Sequence, residues 1–439
     1  MSAPGIVIAA AGSGAGKTTL ALGLMRALRN RGLRVRGFKS GPDYIDPAFH
    51  AVATGQESFN LDSFAMGSDL LDAIAGHGAA GRDIVVAEGA MGLFDGVRAP
   101  LGRRGAAADL ALRYGWPVLL VIDCRAVAQT AAAIAAGLAH FDKRIRIAGV
   151  VLNNVASARH RASVEDGFSG LAIPVLGALA RNADFALPER HLGLVQAGEI
   201  GGLETRLEGF AAAVETGCDV PAIAARAGGA RIAGGGAIAG IPAPGRCIAI
   251  AKDAAFSFIY PHVLAGWRMS GAEIVYFSPL ADEPPPEDCD ACFLPGGYPE
   301  LHAGVLAGAQ RFMRELRAFA ETRPIHGECG GYMVLGRSLT DADGIAHEMA
   351  GLLPVATSFQ ARRLTLGYRR AEFGGRALMG HEFHYATMLT PPPADTEAYA
   401  AVYDGEGESL GLAGHRSGNV SGSFFHAVAP AVMAGPDAV

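Results

Sequence analysis

At 439 residues the chain is too long for one ordinary core, so two domains are expected. Half of it is hydrophobic (50%), yet Gly, Pro, Arg and Asp break each apolar stretch before membrane-span length, so no membrane partner is expected. A formal net charge of −6 argues against nucleic acid, and six cysteines spread over this length suit a reducing, cytoplasmic setting better than a disulfide framework.

The opening, Met1 to Ala11, is apolar without a basic leader and reads as a first strand rather than a signal peptide. Its strand, Ile6–Ala10, runs into Ala11-Gly12-Ser13-Gly14-Ala15-Gly16-Lys17-Thr18 and then a helix over Thr18–Arg29. Small residues let backbone N–H groups wrap a phosphate, and the helix start adds its positive end. Gly12, Ser13, Gly14, Ala15, Gly16, Lys17 and Thr18 are therefore expected to bind ATP. Lys17 would neutralise the β/γ-phosphates, and the Thr18 hydroxyl would ligate Mg²⁺. The loop departs from the usual pattern only in Ala11, which stands where the first Gly normally sits.

A second strand, Arg34–Phe38, leads to Lys39-Ser40-Gly41-Pro42-Asp43-Tyr44-Ile45-Asp46-Pro47. A third, Ile84–Ala87, leads to Glu88-Gly89-Ala90-Met91-Gly92-Leu93-Phe94-Asp95-Gly96. In an open α/β sheet, ligands gather beyond the carboxyl ends of the strands, so these acids should face the same crevice as the glycine loop. Asp46 and Glu88 are expected beside Thr18 as metal ligands, and Asp43, Tyr44, Ile45 and Asp95 in the site where the second substrate reacts. Taken singly, each acid also reads as a turn or cap residue. Strands Val118–Ile122 and Ile147–Leu152 flank an alanine-rich helix over Ala126–Ala139. Asn153-Asn154 follows, with two roles open: Asn153 as a ligand of the nucleotide base, or both as loop caps.

Such strand–helix alternation predicts an α/β domain with a doubly wound, mostly parallel sheet over residues 1–220. Residues 221–246, rich in Gly, Ala and Pro, read as a linker, partly open to helix. Residues 247–439 begin a second doubly wound α/β domain with strands Ile248–Ala251, Glu273–Phe277, Ala291–Leu294 and Pro324–His326.

In that second domain, Pro324-Ile325-His326-Gly327-Glu328-Cys329-Gly330-Gly331-Tyr332-Met333 is a strand, a tight turn and a helix start. This geometry exposes a nucleophile, Cys329, and the helix N-terminus is expected to lower its thiol pKa. Upstream, Leu294-Pro295-Gly296-Gly297-Tyr298-Pro299-Glu300 offers the Gly296 and Gly297 N–H groups as an oxyanion hole. A thiol needs a base, and His426, His381 and His384 are candidates. Cys289 and Cys292 form a lone C-x-x-C with no second pair, which reads as chance spacing rather than a metal site.

On these residues a resemblance stands out. The first half resembles dethiobiotin-synthetase-like P-loop ligases. The second resembles class I glutamine amidotransferases, through Pro295-Gly296-Gly297-Tyr298-Pro299-Glu300 and Glu328-Cys329-Gly330-Gly331. The order of blocks, ending in Gly380-His381-Glu382-Phe383-His384-Tyr385, is similar to the corrin a,c-diamide synthases. The resemblance implies ATP- and glutamine-dependent amidation of the a- and c-carboxylates of cobyrinic or cobalt-free hydrogenobyrinic acid in cobalamin synthesis. Chain length and motif wording lean towards the cobalt-free acid. It implies Cys329 as the glutaminase nucleophile and His426 as its base; His381 and His384 are assigned, as a separate hypothesis, to the corrinoid interface. Class I domains carry an acid two residues after this histidine; here that position is Val428, which leaves a dyad or an acid from elsewhere. Arg362-Arg363 and Arg369-Arg370 are candidates to hold the polyanionic substrate, or solvated strand charges. The partners are thus small molecules (corrinoid acid, glutamine and ATP), with a homodimer left open. Cobyric acid synthase is the near rival, and a partition-type P-loop ATPase the distant one. Such ATPases carry an extra early lysine, where this chain has Gly12 and Ser13.

Overall fold

The computed structural model describes residues 3–182, 187–190, 193–229, 232, 236–389 and 396–431. Gly234 and Gly235, within the expected linker, lie outside the described residues. The chain divides into two compact units, residues 1–236 and 237–439.

The first unit is built on a seven-stranded, all-parallel sheet: β1 (Gly5–Ala10), β2 (Val35–Ser40), β3 (Phe59–Leu61), β4 (Ile84–Glu88), β5 (Val118–Asp123), β6 (Ile147–Val155) and β7 (Val175–Ala180). Every residue of β1, β2 and β4 is buried, as expected for strands covered on both faces by helices. The covering helices are α1 (Lys17–Asn30), α2 (Asp46–Thr54), α3 (Ser68–Ala79), α4 (Ala107–Tyr114), α5 (Thr130–Phe141), α6 (Ala158–Asp166) and α7 (Leu203–Gly217). A short hairpin, β8 (Glu189–Arg190) and β9 (Gly193–Leu194), lies apart from the sheet. The order β3-β2-β4-β1-β5-β6-β7 reverses at β1, and that switch point opens a crevice beyond the carboxyl ends of β1 and β4.

Local chemistry explains two departures from the expected elements. The helix after β5 starts at Thr130 rather than Ala126, because Asp123 Oδ1 accepts the Arg125 N–H at 3.1 Å and turns the chain first. Residues at the start of the expected linker form α8 (Val220–Arg226), capped by Asp219, whose Oδ1 accepts the Ala222 N–H at 2.9 Å. Past that helix, Gly228 pairs with Gly5 through hydrogen bonds of 2.8 and 2.9 Å.

The second unit contains a six-stranded sheet of order β11-β10-β12-β13-β23-β22. Its strands are β10 (Cys247–Ala251), β11 (Glu273–Phe277), β12 (Ala291–Leu294), β13 (Ile325–Glu328), β22 (His415–Ser417) and β23 (Val420–Ser423), parallel except for β22. Helices α9 (Pro261–Met269), α10 (Ala303–Gly308), α11 (Gln310–Thr322) and α12 (Gly330–Leu335) accompany it. Not foreseen were two further sheets. One comprises β14 (Ser338–Thr340), β15 (Ala346–Glu348), β16 (Ala356–Ser358) and β19 (Thr387–Met388). The other is antiparallel, of β17 (Thr365–Phe373), β18 (Arg376–His384), β20 (Ala400–Asp404), β21 (Ser409–Ala413) and β24 (His426–Pro430), in the order β21-β20-β17-β18-β24. Among the described residues no helix is long and apolar enough to cross a membrane.

Candidate active sites

In the first unit the glycine loop joins β1 to α1, with Gly16 held at φ 92°. A Cβ there would lie 2.1 Å from Asn153 Nδ2, which itself donates to Ala15 O at 2.9 Å, so Asn153 closes over the loop from the end of β6. Lys17 Nζ donates to Gly12 O at 2.9 Å; burial, then Lys39, lower its pKa against the pull of Glu88, Asp46 and Asp95. Thr18 Oγ1 donates to Glu88 Oε1 at 2.6 Å. Glu88 is fully buried at the end of β4, and Lys39 Nζ lies 2.9 Å from the same oxygen. His50 Nε2 meets the other oxygen, Oε2, at 2.7 Å. Burial alone would raise the Glu88 pKa; Lys39, His50 and Thr18 override it and hold the carboxyl well below its ordinary value.

Ser13, Lys17, Thr18, Lys39, Asp43 and Glu88 line one cleft of about 690 Å³, which Arg125 and Asn153 also border. Asp43 Oδ1 accepts the Ile45 and Asp46 N–H groups at 2.8 and 3.1 Å, capping the entry to α2, while Tyr44 and Ile45 are buried. Asp46 is drawn to Lys39 at 2.5 Å and is not among the cleft's lining residues. Burial, then Asp43, push its pKa up. Asp95 is exposed, and its Oδ2 accepts the Gly92 N–H at 2.9 Å. The same loop is pinned to β1 by Leu93 N–H donating to Ala10 O at 2.8 Å. For Mg²⁺ the donor set fits. The ion takes hard oxygens, is commonly held by one or two carboxylates plus phosphate, and keeps several waters. Thr18 and Glu88 offer such oxygens side by side at the mouth of the phosphate loop.

In the second unit Cys329 sits between β13 and α12 at φ 46° and ψ −101°, a strained positive-φ turn whose N–H donates to Ser423 O at 2.8 Å. The thiol is buried, and burial, then the Glu300 carboxylate, push its pKa up. The lowering expected from the helix start is therefore overridden: α12 is a single short helix, and desolvation of a thiolate outweighs its dipole. A base is needed. His426 lies close by, since a Cβ added at Gly296 would be 2.5 Å from His426 Cε1 and 3.4 Å from Cys329 Cβ. Burial, then His381 and His384, hold its imidazole well below the ordinary pKa, so it rests neutral. The His381 ring stacks on that of His426 (5.2 Å, 16°) and its Nε2 meets the Tyr260 hydroxyl at 2.6 Å. His384 stacks instead on Phe424, at 3.9 Å. Gly297 N approaches the elbow, 3.0 Å from a Cβ placed on Gly330. The arrangement equips the unit for acyl transfer by a thiol.

A nucleotide-binding cleft in one unit and a thiol elbow in the other leave the family to be decided by comparison. Residues 6–195 match the family model described as the CobQ/CobB/MinD/ParA nucleotide binding domain. Residues 247–431 match the CobB/CobQ-like glutamine amidotransferase domain. The hydrogenobyrinate a,c-diamide synthase of Mesorhizobium japonicum is 52% identical, covering 98% of this chain and 100% of that protein. The enzyme of the same name from Rhodobacter capsulatus is 54% identical over 97% of this chain and 98% of its own length. A third, from Agrobacterium fabrum, is 49% identical over 98% and 99%. The chain belongs to the hydrogenobyrinate a,c-diamide synthase family. As a member it is a nucleotide-binding, glutamine-dependent, amide-forming ligase of cobalamin biosynthesis.

Within this family member the structure adds residues the sequence reading passed over. Lys39 and His50 both grip Glu88, and Arg125 reaches Gly14 O at 3.4 Å. Lys39 carried a usable signal: a lysine ending an otherwise buried strand needs a counter-charge. Of the arginines offered for the polyanion, Arg369 pairs with Glu382 at 2.7 Å and Arg370 with Glu372, whereas Arg362 and Arg363 are exposed. Cys289 Sγ lies 2.7 Å from Cys247 Sγ where the amino ends of β10 and β12 run side by side, whereas the elbow follows the carboxyl end of β13.

Proposed function

We propose that the chain amidates the a- and c-side-chain carboxylates of hydrogenobyrinic acid, with ATP·Mg²⁺ activating each carboxylate and glutamine supplying the nitrogen. The observation that carries this is identity of about one half over nearly the whole chain to synthases of that name, with both chemical motifs in place. All three relatives are named for the hydrogenobyrinate, which favours the cobalt-free ring.

In the glutaminase unit the Cys329 thiol gives its proton to His426 as Sγ attacks the glutamine amide carbon. Gly296 and Gly297 supply the N–H groups for the oxyanion. His426 returns the proton to the departing nitrogen, ammonia leaves, and water later hydrolyses the glutamyl thioester to glutamate. In the nucleotide unit Lys17 and the N–H groups of Gly12 to Thr18 hold the triphosphate while a substrate carboxylate oxygen attacks the γ-phosphorus. ADP departs, and ammonia displaces phosphate from the acyl phosphate. Thr18 and Glu88 are the residues to hold Mg²⁺, which when bound supplies charge neutralisation on the phosphate oxygens. Asp43 faces the cleft as the residue to orient the incoming acid, and Asn153 the nucleotide. A cytoplasmic setting and the domain limits 1–220 and 247–439 belong to the same proposal.

Two variants test it. Cys329→Ala abolishes glutamine-dependent amidation while ammonium salts still support it, and Lys17→Ala removes amidation from either source, as product mass spectrometry reads out. Loss of ammonium-supported amidation in a folded Cys329→Ala protein overturns the two-site scheme.

A further inference from the structure

Two residues beyond His426 on β24 stands Val428, whose side chain is buried and whose carbonyl accepts from His262 Nε2 at 2.8 Å. The acid found there in class I domains is therefore replaced by an apolar strand position. Glu328 approaches the imidazole from another direction. Its Oε2 lies 3.8 Å from His426 Nδ1, and its Oε1 accepts the Ala427 N–H at 3.2 Å. Both side chains are buried.

The chain path explains the meeting. Glu328 ends β13 opposite Ser423, which ends the neighbouring parallel strand β23. From Ser423 the chain crosses through Phe424 and Phe425 into the antiparallel sheet, where β24 begins at His426 and pairs with His381. That crossing returns His426 and Ala427 over the carboxyl end of β13. We propose that Glu328, the residue just before the nucleophile, is the third member of the glutaminase constellation, orienting the His426 imidazole and stabilising its charge when it takes the thiol proton. This rests on the glutaminase reading given above.

At 3.8 Å the contact is too long for a hydrogen bond and acts through charge. It matters because the imidazolium forms in a buried place, where an unpaired cation is costly. With Nδ1–H towards Glu328, Nε2 is the nitrogen that accepts the Cys329 proton, which then passes to the leaving ammonia. Glu328 is a positioning residue and touches no reacting atom. Burial pushes its own pKa up to about 8, opposed by the Ala427 N–H. The groups that face it are His426 with His381 stacked behind, Cys329 on the elbow, and Tyr399, Arg376 and Arg416 around the cavity it borders. Turnover should therefore rise through an alkaline limb as Glu328 ionises.

Glu328→Gln keeps the acceptor for Ala427 N–H and removes only the charge. Measured against wild type above pH 8, where Glu328 is ionised, kcat for glutamine hydrolysis falls about 10²-fold with KM for glutamine unchanged, the loss expected when proton transfer is impaired. The alkaline limb in the pH profile, and in the rate of Cys329 alkylation by iodoacetamide, shifts or disappears. Ammonium-supported amidation stays at the wild-type rate and certifies folding. A kcat within twofold of wild type together with superimposable alkylation profiles overturns the assignment of Glu328. Cys329→Ala run alongside separates the two levels: glutaminase surviving in it overturns the glutaminase reading itself, whatever Glu328 does.

Discussion

Lys39 Nζ lies 2.9 Å from Glu88 Oε1, both groups buried at paired positions on β2 and β4. Lys39 also holds Asp46, and Glu88 also accepts from Thr18, so a single buried cation links the phosphate loop to the entry of α2. Against the burial that opposes it, the facing acids keep Lys39 charged, Asp46 and then Glu88 raising its pKa.

Glu88→Gln accordingly costs fold stability as well as amidation. Breaking one side of a buried ion pair costs about 3–5 kcal/mol, and here Lys39 is left with Asp46 as its remaining close counter-charge. Thermal unfolding should show a lowered Tm, and Lys39→Met should lower it comparably by stranding Glu88 and Asp46. The carboxyl of Glu88 is held below its ordinary 4.5, so its contribution is full above that value and is lost as the pH falls below it. Wild type therefore loses stability between pH 5 and 3 faster than Glu88→Gln, in units of Tm per pH. An unchanged Tm in both variants at pH 7 would remove the cluster from any structural role.

Asp43 and Asp95 part company with Glu88 here. Asp43 is half-buried and Asp95 exposed, and an amide in either place keeps the oxygen that accepts from the backbone. Folding should survive both changes. Asp43→Asn should cut ammonium-supported amidation about 10²-fold if its charge orients the reacting acid, and Asp95→Asn should cut it less. Glutamine hydrolysis by Cys329 serves as the control. Near wild-type amidation in Asp43→Asn would move the acid-binding role to another residue of the cleft.

For the histidines, His426→Ala should slow glutamine hydrolysis by about 10²-fold or more, the usual span for a lost general base. His384→Ala should slow it far less, since that ring packs on Phe424 and its Nδ1 is turned to Ala386 O at 3.1 Å. His381→Ala falls between them, because His381 braces the base by stacking and is itself tied to Tyr260. A steady-state glutaminase assay ranks the three, and an inverted order of His426 and His384 would reassign the base.

The phosphate loop, the strand ends around Asp43 and Glu88, and the elbow at Cys329 are all legible from sequence for one reason. Each is a local event, a buried strand that must turn within a few residues, and small residues at the turn report it directly. The strands Ile6–Ala10, Ile84–Ala87 and Val118–Ile122 reappear with ends moved by a residue or two, since an all-buried parallel strand writes an unbroken apolar run. The antiparallel sheet of the second unit is not legible in the sequence. Its β17 and β18 are mostly half-buried, with Arg, Glu and His interleaved, so no clean apolar run or strict alternation marks them.

What tertiary structure alone decided is who stands beside whom. Lys39 and Glu88 are 49 residues apart, and they meet only because β2 and β4 are neighbours in register. Glu328 and His426 are brought together by a chain that leaves one sheet at Ser423 and enters another three residues later. Apolar patterning says that a strand is buried, and it is silent on which strand lies next to it. The Cys329 thiol shows the same limit in electrostatic terms. Its local motif points to a lowered pKa, but desolvation is set by everything packed around the elbow, and that sum raises it.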